Sequence, residues 1–215
     1  MFRFVWCGLA FLAAAVMQAQ PVRLEPDYAQ SYIVVRTGRS GIFGGLAGHD
    51  HGIVATKWSA ELCMDPKNPA AGKVAVTIPA ASLQIDTPEA RRFASLESSG
   101  PGGGDVPKIQ KQMLGPENLA SDSHPEIRFR SSSVKPAEGQ WLVNGELSIR
   151  GRAQPVAVPV KVAPRPSGFA FTGKFSAKQS DFGIKPSSVG GGTVKVKDEV
   201  SILFDISAIP NGPCK

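Results

Sequence analysis

From Trp141 to Ile206 apolar residues fall on alternate positions, in runs separated by short turn-like segments. Trp141, Val143, Leu147 and Ile149 share one parity, and Val156, Val158, Val160 and Val162 share another. Phe169, Phe171 and Phe175 follow, and then Val200, Ile202, Phe204 and Ile206. Side chains two or four residues apart stand on the same face of a β-strand. Each run therefore offers one apolar wall and one solvated wall, and such walls are stable only when the apolar side closes over a shared interior.

Upstream, Tyr32 to Thr37 reads as a first extended segment, followed by the glycine-rich stretch Gly38 to Gly52. Ile53 to Met64, with Trp58 inside it, and Lys73 to Ile78 read as strands. Pro79 suits a bulge or a sheet edge, and Ser82 to Asp86 continues the extended path. Glu126 to Val134 sets Ile127 and Phe129 against Arg128 and Arg130, and Thr193 to Lys197 is a further strand segment. The region Thr87 to Ser123 departs from alternation and predicts a short helix from Asp105 to Leu114, with Asp105 as N-cap and Pro107 in the first turn. Val106, Ile109 and Met113 form its apolar stripe, Lys108 and Lys111 face water, and Gly115 and Pro116 end it. Eight or more strands with one or two short helices predict an antiparallel barrel or sandwich, not a parallel α/β fold.

The N-terminus has a short basic start with Arg3, an apolar run from Phe4 to Met17 and a small-residue exit around Ala19, the pattern of a secretory signal peptide. The run is shorter than the roughly 20 residues that span a bilayer. Cleavage after Ala19 would leave residues 20–215 as one soluble domain, in the periplasm or secreted. The net charge of +6 is scattered along the chain, which excludes a nucleic-acid-binding block. Cys63 and Cys214 remain after processing; an oxidising compartment permits a disulfide between them, and spacing alone leaves that open.

The sharpest local feature is His49-Asp50-His51. On a strand the two imidazoles would share a side, and His124 would be a third metal ligand if the fold brought it there. The alternative is that these histidines hydrogen-bond loop backbone. Catalysis has little support. No serine sits in a Gly-x-Ser-x-Gly context, and Asp86, Glu89 and Asp181 have no spacing that sets two of them across a cleft. Neither Gly102–Gly104 nor Gly190–Gly192 is followed by the Lys-Ser/Thr of a phosphate loop. Arg128, Arg130, Arg150 and Arg152 are candidates to meet a phosphate or to face solvent.

Five segments occur in an order that resembles the YceI-like family of exported, lipocalin-shaped proteins that bind polyisoprenoids or other long lipids. They are Ser82-Leu83-Gln84-Ile85-Asp86-Thr87, His124 to Ser131, Val143 to Gly151, Ser180-Asp181-Phe182-Gly183-Ile184 and Asp198 to Ile202. The resemblance runs from about Leu24 to Ile209. It departs at the family's Phe-x-Val-x-His segment, where this chain reads Gly41 to Gly52. It implies an all-β, extended antiparallel eight-stranded lipocalin-like barrel with one or two short helices, binding without catalysis. Its partner would be a long-chain lipid or isoprenoid held in an apolar interior, with no cofactor beyond that ligand unless a metal binds. The expected lining is Phe129, Trp141, Val143, Leu147, Phe169, Phe171, Phe175, Phe182 and Phe204. Alternation alone fits a packed interior equally well. Two other readings are a metal-binding envelope protein using His49, His51 and His124, and an interaction domain with a solid core.

Overall fold

The computed structural model describes residues 21–41, 48–65, 68–97, 100–102, 104–189 and 193–214. The expected signal peptide, the 42–47 part of the first glycine-rich stretch and residues 190–192 lie outside them. Eight long strands close into one antiparallel ring. Five run unbroken: β8 (Glu126–Ala137), β9 (Gln140–Ile149), β10 (Arg152–Arg165), β11 (Gly168–Lys178) and β14 (Glu199–Pro213). The other three are bent in the middle. The first is β1 (Val22–Pro26) plus β2 (Tyr32–Thr37), the second β4 (His51–Ala55) plus β5 (Ser59–Met64), and the third β6 (Lys73–Pro79) plus β7 (Leu83–Ile85).

β14 closes the ring. One edge pairs with β11 from Glu199 to Ala208, while the other pairs with β2 over Ser201–Asp205 and with β1 over Ala208–Pro213. The hand-over falls where the first strand bends, and Ser31 bridges it. Its hydroxyl donates to Asp27 O at 2.6 Å and accepts from Ser207 N at 3.0 Å. The second and third strands break opposite each other, with Thr56 N donating to Ser82 O and Ser82 Oγ donating to Lys57 O. The uninterrupted strand expected over Ile53 to Met64 is thus two strands, because its halves pair with different partners, β4 with β2 and β5 with β1. The disulfide Cys63–Cys214 ties β5 to the residue after β14, locking the closure.

Among the described residues two α-helices flank the ring, α1 (Pro88–Phe93) and α2 (Val106–Leu114). Of the one or two short helices expected, α1 is the one given no span from sequence, although its signal is present: Thr87 accepts from Ala90 N and Pro88 occupies the first turn. It covers the outer face of β2 and β4, burying Val34 and Val54 against Ala90 and Ala94. It can sit there because position 52 is glycine; a Cβ at Gly52 would stand 2.8 Å from Ala90 O. α2 matches the expected span, and Val106, Ile109 and Met113 pack on the interior. Asp105 is not a side-chain cap, because its own backbone is helical (φ −94°, ψ −26°) instead of extended. α2 also seals the free edge of β7: Gln110 accepts from Ile85 N at 2.9 Å and donates to Leu83 O at 2.7 Å, standing in for a neighbouring strand. Thr193 to Lys197 joins no barrel wall. Val194–Val196 (β13) lies between Ser188–Val189 (β12) and Arg39–Ser40 (β3) in a separate small sheet.

Candidate functional site

The inward parity is the one read from the sequence. Val156, Val158, Val160 and Val162 of β10 meet Val143 and Trp141 of β9, and Phe171, Phe175 and Phe204 join them. Phe171 and Phe204 also pack against the cluster of Leu24, Ile33, Ile53, Leu62 and Ile206, so the apolar groups form one continuous interior. A bulge at Ser131–Ser133 reverses the parity of β8, which is why both Phe129 and Val134 point inward. Of the nine expected lining residues, Val143 and Leu147 are buried on the wall. Phe129, Trp141, Phe169, Phe171, Phe175 and Phe204 face inward and are half-buried. Phe182, 2% exposed, is not a wall residue. It projects from a 3-10 turn, Gln179–Phe182, and packs with Leu147 and Ile184 against Val156, Phe175 and Ala177.

Half-burial of inward aromatics is physically informative. A packed protein interior leaves almost no accessible surface on large apolar side chains. Phe129, Phe171, Phe175 and Phe204 keep part of their surface accessible although they face inward. Sequence reasoning missed the half of the lining contributed by the bent strands, including Leu24, Ile33, Leu62, Val76 and Ile85. Their alternation is present but runs for only two or three apolar residues before each bend.

At the end of the barrel where β4 begins, polar groups converge on Asp86. His51 has the inward parity of Ile53, and its Nδ1 donates to Asp86 Oδ2 at 2.6 Å; the carboxylate, an acceptor, fixes the proton on Nδ1. Gly52 N and Arg91 donate to Asp86 Oδ1 at 3.1 and 2.7 Å. Arg91 also donates to the carbonyls of Glu97 and Asp50. The Asp86 side chain is 2% exposed. Burial alone would push its carboxyl up, but the His51 imidazole, the Gly52 amide and the Arg91 guanidinium together outweigh this and hold it below the ordinary carboxylate value. Asp86 adopts a left-handed backbone (φ 55°) that aims the carboxylate back at β4. With both oxygens occupied by donors, Asp86 works as a clamp joining β4, β7 and α1.

The three histidines have separate settings. His49 is exposed and precedes β4, so the strand rule that would align it with His51 does not apply. His51 is committed to Asp86, and the His124 ring lies against Gly151 in the β9–β10 turn. Among the described residues no group of three or more His, Cys, Asp or Glu side chains is arranged to hold a metal ion. Asp50 instead pairs with Arg36 at 3.1 Å and accepts from Arg39 N. Of the four candidate arginines, Arg128 pairs with Glu126 on the outer face and Arg150 donates to the carbonyls of Pro116, Glu117 and Gly183. Arg130 and Arg152 are exposed. Among the described residues no helix is long and apolar enough to cross a membrane.

The family model of the YceI-like domain matches residues 30–208. The chain belongs to the YceI-like family. It is 27% identical over 211 residues to a UPF0312 protein of Pseudomonas aeruginosa, covering 94% of this chain and 93% of that one. It is 31% identical over 153 residues to Protein YceI of Shigella flexneri, covering 67% and 66%. Among solved structures, Burkholderia cenocepacia BcnA superposes with a TM-score of 0.63 at 25% identity, over 85% of this chain and 98% of that chain. The Campylobacter jejuni YceI protein shares the fold, with a TM-score of 0.54 at 15% identity over 74% and 85%. The barrel of this YceI-like chain is thus the family's fold.

Proposed function

We propose that this YceI-like protein is an exported, non-enzymatic carrier that holds a long-chain lipid or polyisoprenoid inside its barrel. The observation that carries this reading is the ring of inward aromatics left half-buried on the inner side of the barrel. Affinity would come from transfer of the chain out of water, about 0.8 kcal/mol per buried methylene, which needs only an apolar tube of sufficient length. The polar cluster at Asp86 supports binding over catalysis, because its groups are spent on holding β4, β7 and α1 together. The signal-peptide pattern of residues 1–19 and the Cys63–Cys214 disulfide both favour an oxidising compartment, the periplasm or the exterior.

The test is organic extraction of protein purified after export, with mass spectrometry of the extract beside native mass spectrometry of the intact chain. A long-chain lipid near one equivalent supports the carrier. Protein that carries no lipid and takes up none of a fluorescent fatty acid overturns it.

A further inference from the structure

The wall between β10 and β11 is incomplete, and the cause is written in the sequence. Arg150 and Gly151, both at positive φ, form a two-residue turn, so the flanking Ile149 and Arg152 are a mutually hydrogen-bonded pair. Even-numbered residues of β10 then direct their backbone groups to β9, and odd-numbered residues direct theirs to β11. The β10–β11 hairpin, closed by Arg165 and Gly168, gives the same assignment from its other end. Beyond Lys161 the residues due to bond β11 are Pro159, Ala157 and Pro155, and two of these three have no N–H. Pairing accordingly stops at Val160–Gly173, although β9–β10 pairing continues to the turn. The Pro159 carbonyl instead crowds Gly173, where a Cβ would stand 2.4 Å from it.

A cavity of about 290 Å³ opens at this seam. Its lining includes Pro155, Val156, Ser176 and Ala177 from the two facing strands, with Lys178, Asp181 and Glu199 beside them. Phe182 also lines it, seated against Val156, Phe175 and Ala177. The turn that carries Phe182 is held by polar contacts near the surface. Gln154 donates to Asp181 O at 3.0 Å, Ser180 donates to Asp198 through both N and Oγ, and Gln179 donates to Lys197 O.

We propose that the seam between β10 and β11 is a lateral portal for the apolar chain of the ligand, with Phe182 as its gate. This rests on the carrier reading above. An apolar chain admitted here meets Val156, Ala177 and Phe175 in sequence and reaches the interior without passing the Asp86 cluster. Outward movement of the Phe182 turn breaks surface hydrogen bonds and leaves the pairing of β11 with β14 intact.

The test is stopped-flow uptake and release of cis-parinaric acid by the full exported protein. Phe182→Ala should accelerate both uptake and release by about tenfold or more, as removal of a gating barrier requires. A lost wall contact would raise release alone, and that result overturns the gate. Pro155→Val with Pro159→Val restores the missing donors and should slow both rates, with new amide-exchange protection on residues 155–159 as the structural check. This pair decides the question if Phe182→Ala fails to fold. Unchanged rates in a zipped, protected variant overturn the portal while leaving the carrier standing. Absence of any probe uptake by the wild type overturns the carrier, and the portal with it.

Discussion

Asp86→Asn isolates the charge of the clamp from its shape. Asparagine tolerates the left-handed backbone that Asp86 adopts, so the substitution adds little conformational strain. It removes the counter-charge of Arg91, whose side chain is 9% exposed, and turns one acceptor of the His51 and Arg91 bonds into a donor. Breaking a buried ion pair by removing one partner costs about 3–5 kcal/mol. Arg91 keeps its bonds to the carbonyls of Glu97 and Asp50, which offsets part of this, so a loss of about 2–4 kcal/mol is expected. Urea unfolding followed by the fluorescence of Trp58 and Trp141 measures it. The pH dependence supplies a second check. Asp86 titrates lower in the fold than the value of about 3.9 it has in the unfolded chain. Its contribution is therefore complete above that pH and lost as the pH falls through the lower native value. The gap between wild type and Asp86→Asn should persist at pH 5 and above and close in stronger acid. A destabilisation below about 1 kcal/mol at pH 7, within the range of ordinary surface pairs, or a gap that stays constant down to acid unfolding, would refute the clamp.

Gln110→Ala should uncover Ile85 N and Leu83 O together, costing about 1–2 kcal/mol and abolishing hydrogen-exchange protection of the Ile85 amide while leaving that of Ile53 nearer to wild type. Gly52→Ala places a methyl against the Ala90 carbonyl, and the resulting overpacking should cost about 1–3 kcal/mol, read as a lowered melting temperature with selective exposure of α1 to proteolysis. Cys214→Ser removes a cross-link between residues 151 apart, and the loss should be about 2–5 kcal/mol with a larger urea m-value change than any other variant here. Reduction of the wild type should reproduce that loss.

Four of the unbroken strands were legible because each carries four or more inward residues at period two, a run that fits no helix, while β8, bulged at Ser131–Ser133, was legible through Ile127 and Phe129 alone. The bent strands were harder. Val22-Arg23-Leu24-Glu25 alternates for a single repeat before Pro26, too short to register, and only its register against Ala208 to Pro213 makes it a strand. Thr56 to Trp58 holds no Gly, Pro, Asn or Asp that would mark the break, since the bend comes from a change of partner. The same distinction governs the site. The inward aromatics follow from parity, which is local, whereas the Asp86 clamp joins His51 to a residue 35 positions away and needs the β4–β7 register to exist. His49 and His51 show the limit of the local rule: alternation aligns two side chains only where both residues are in the strand, and β4 starts at His51.

Pro155 and Pro159 show how local and long-range information combine. Inward Val156, Val158 and Val160 place both prolines on the outer parity. Only the two-residue turns at either end of β10 establish that this parity also carries the donors for β11. Other bends in the wall keep their backbone groups satisfied, by Ser31 at the β14 hand-over and by Gln110 at the β7 edge. At the β10–β11 seam two donors are missing from the chain itself, so neither strand pairing nor a side-chain substitute restores the ladder. A wall that only enclosed a packed core would gain stability from donors at 155 and 159. On the carrier reading their absence has a use, since it leaves one place where the wall can part for a long apolar guest without unzipping the rest.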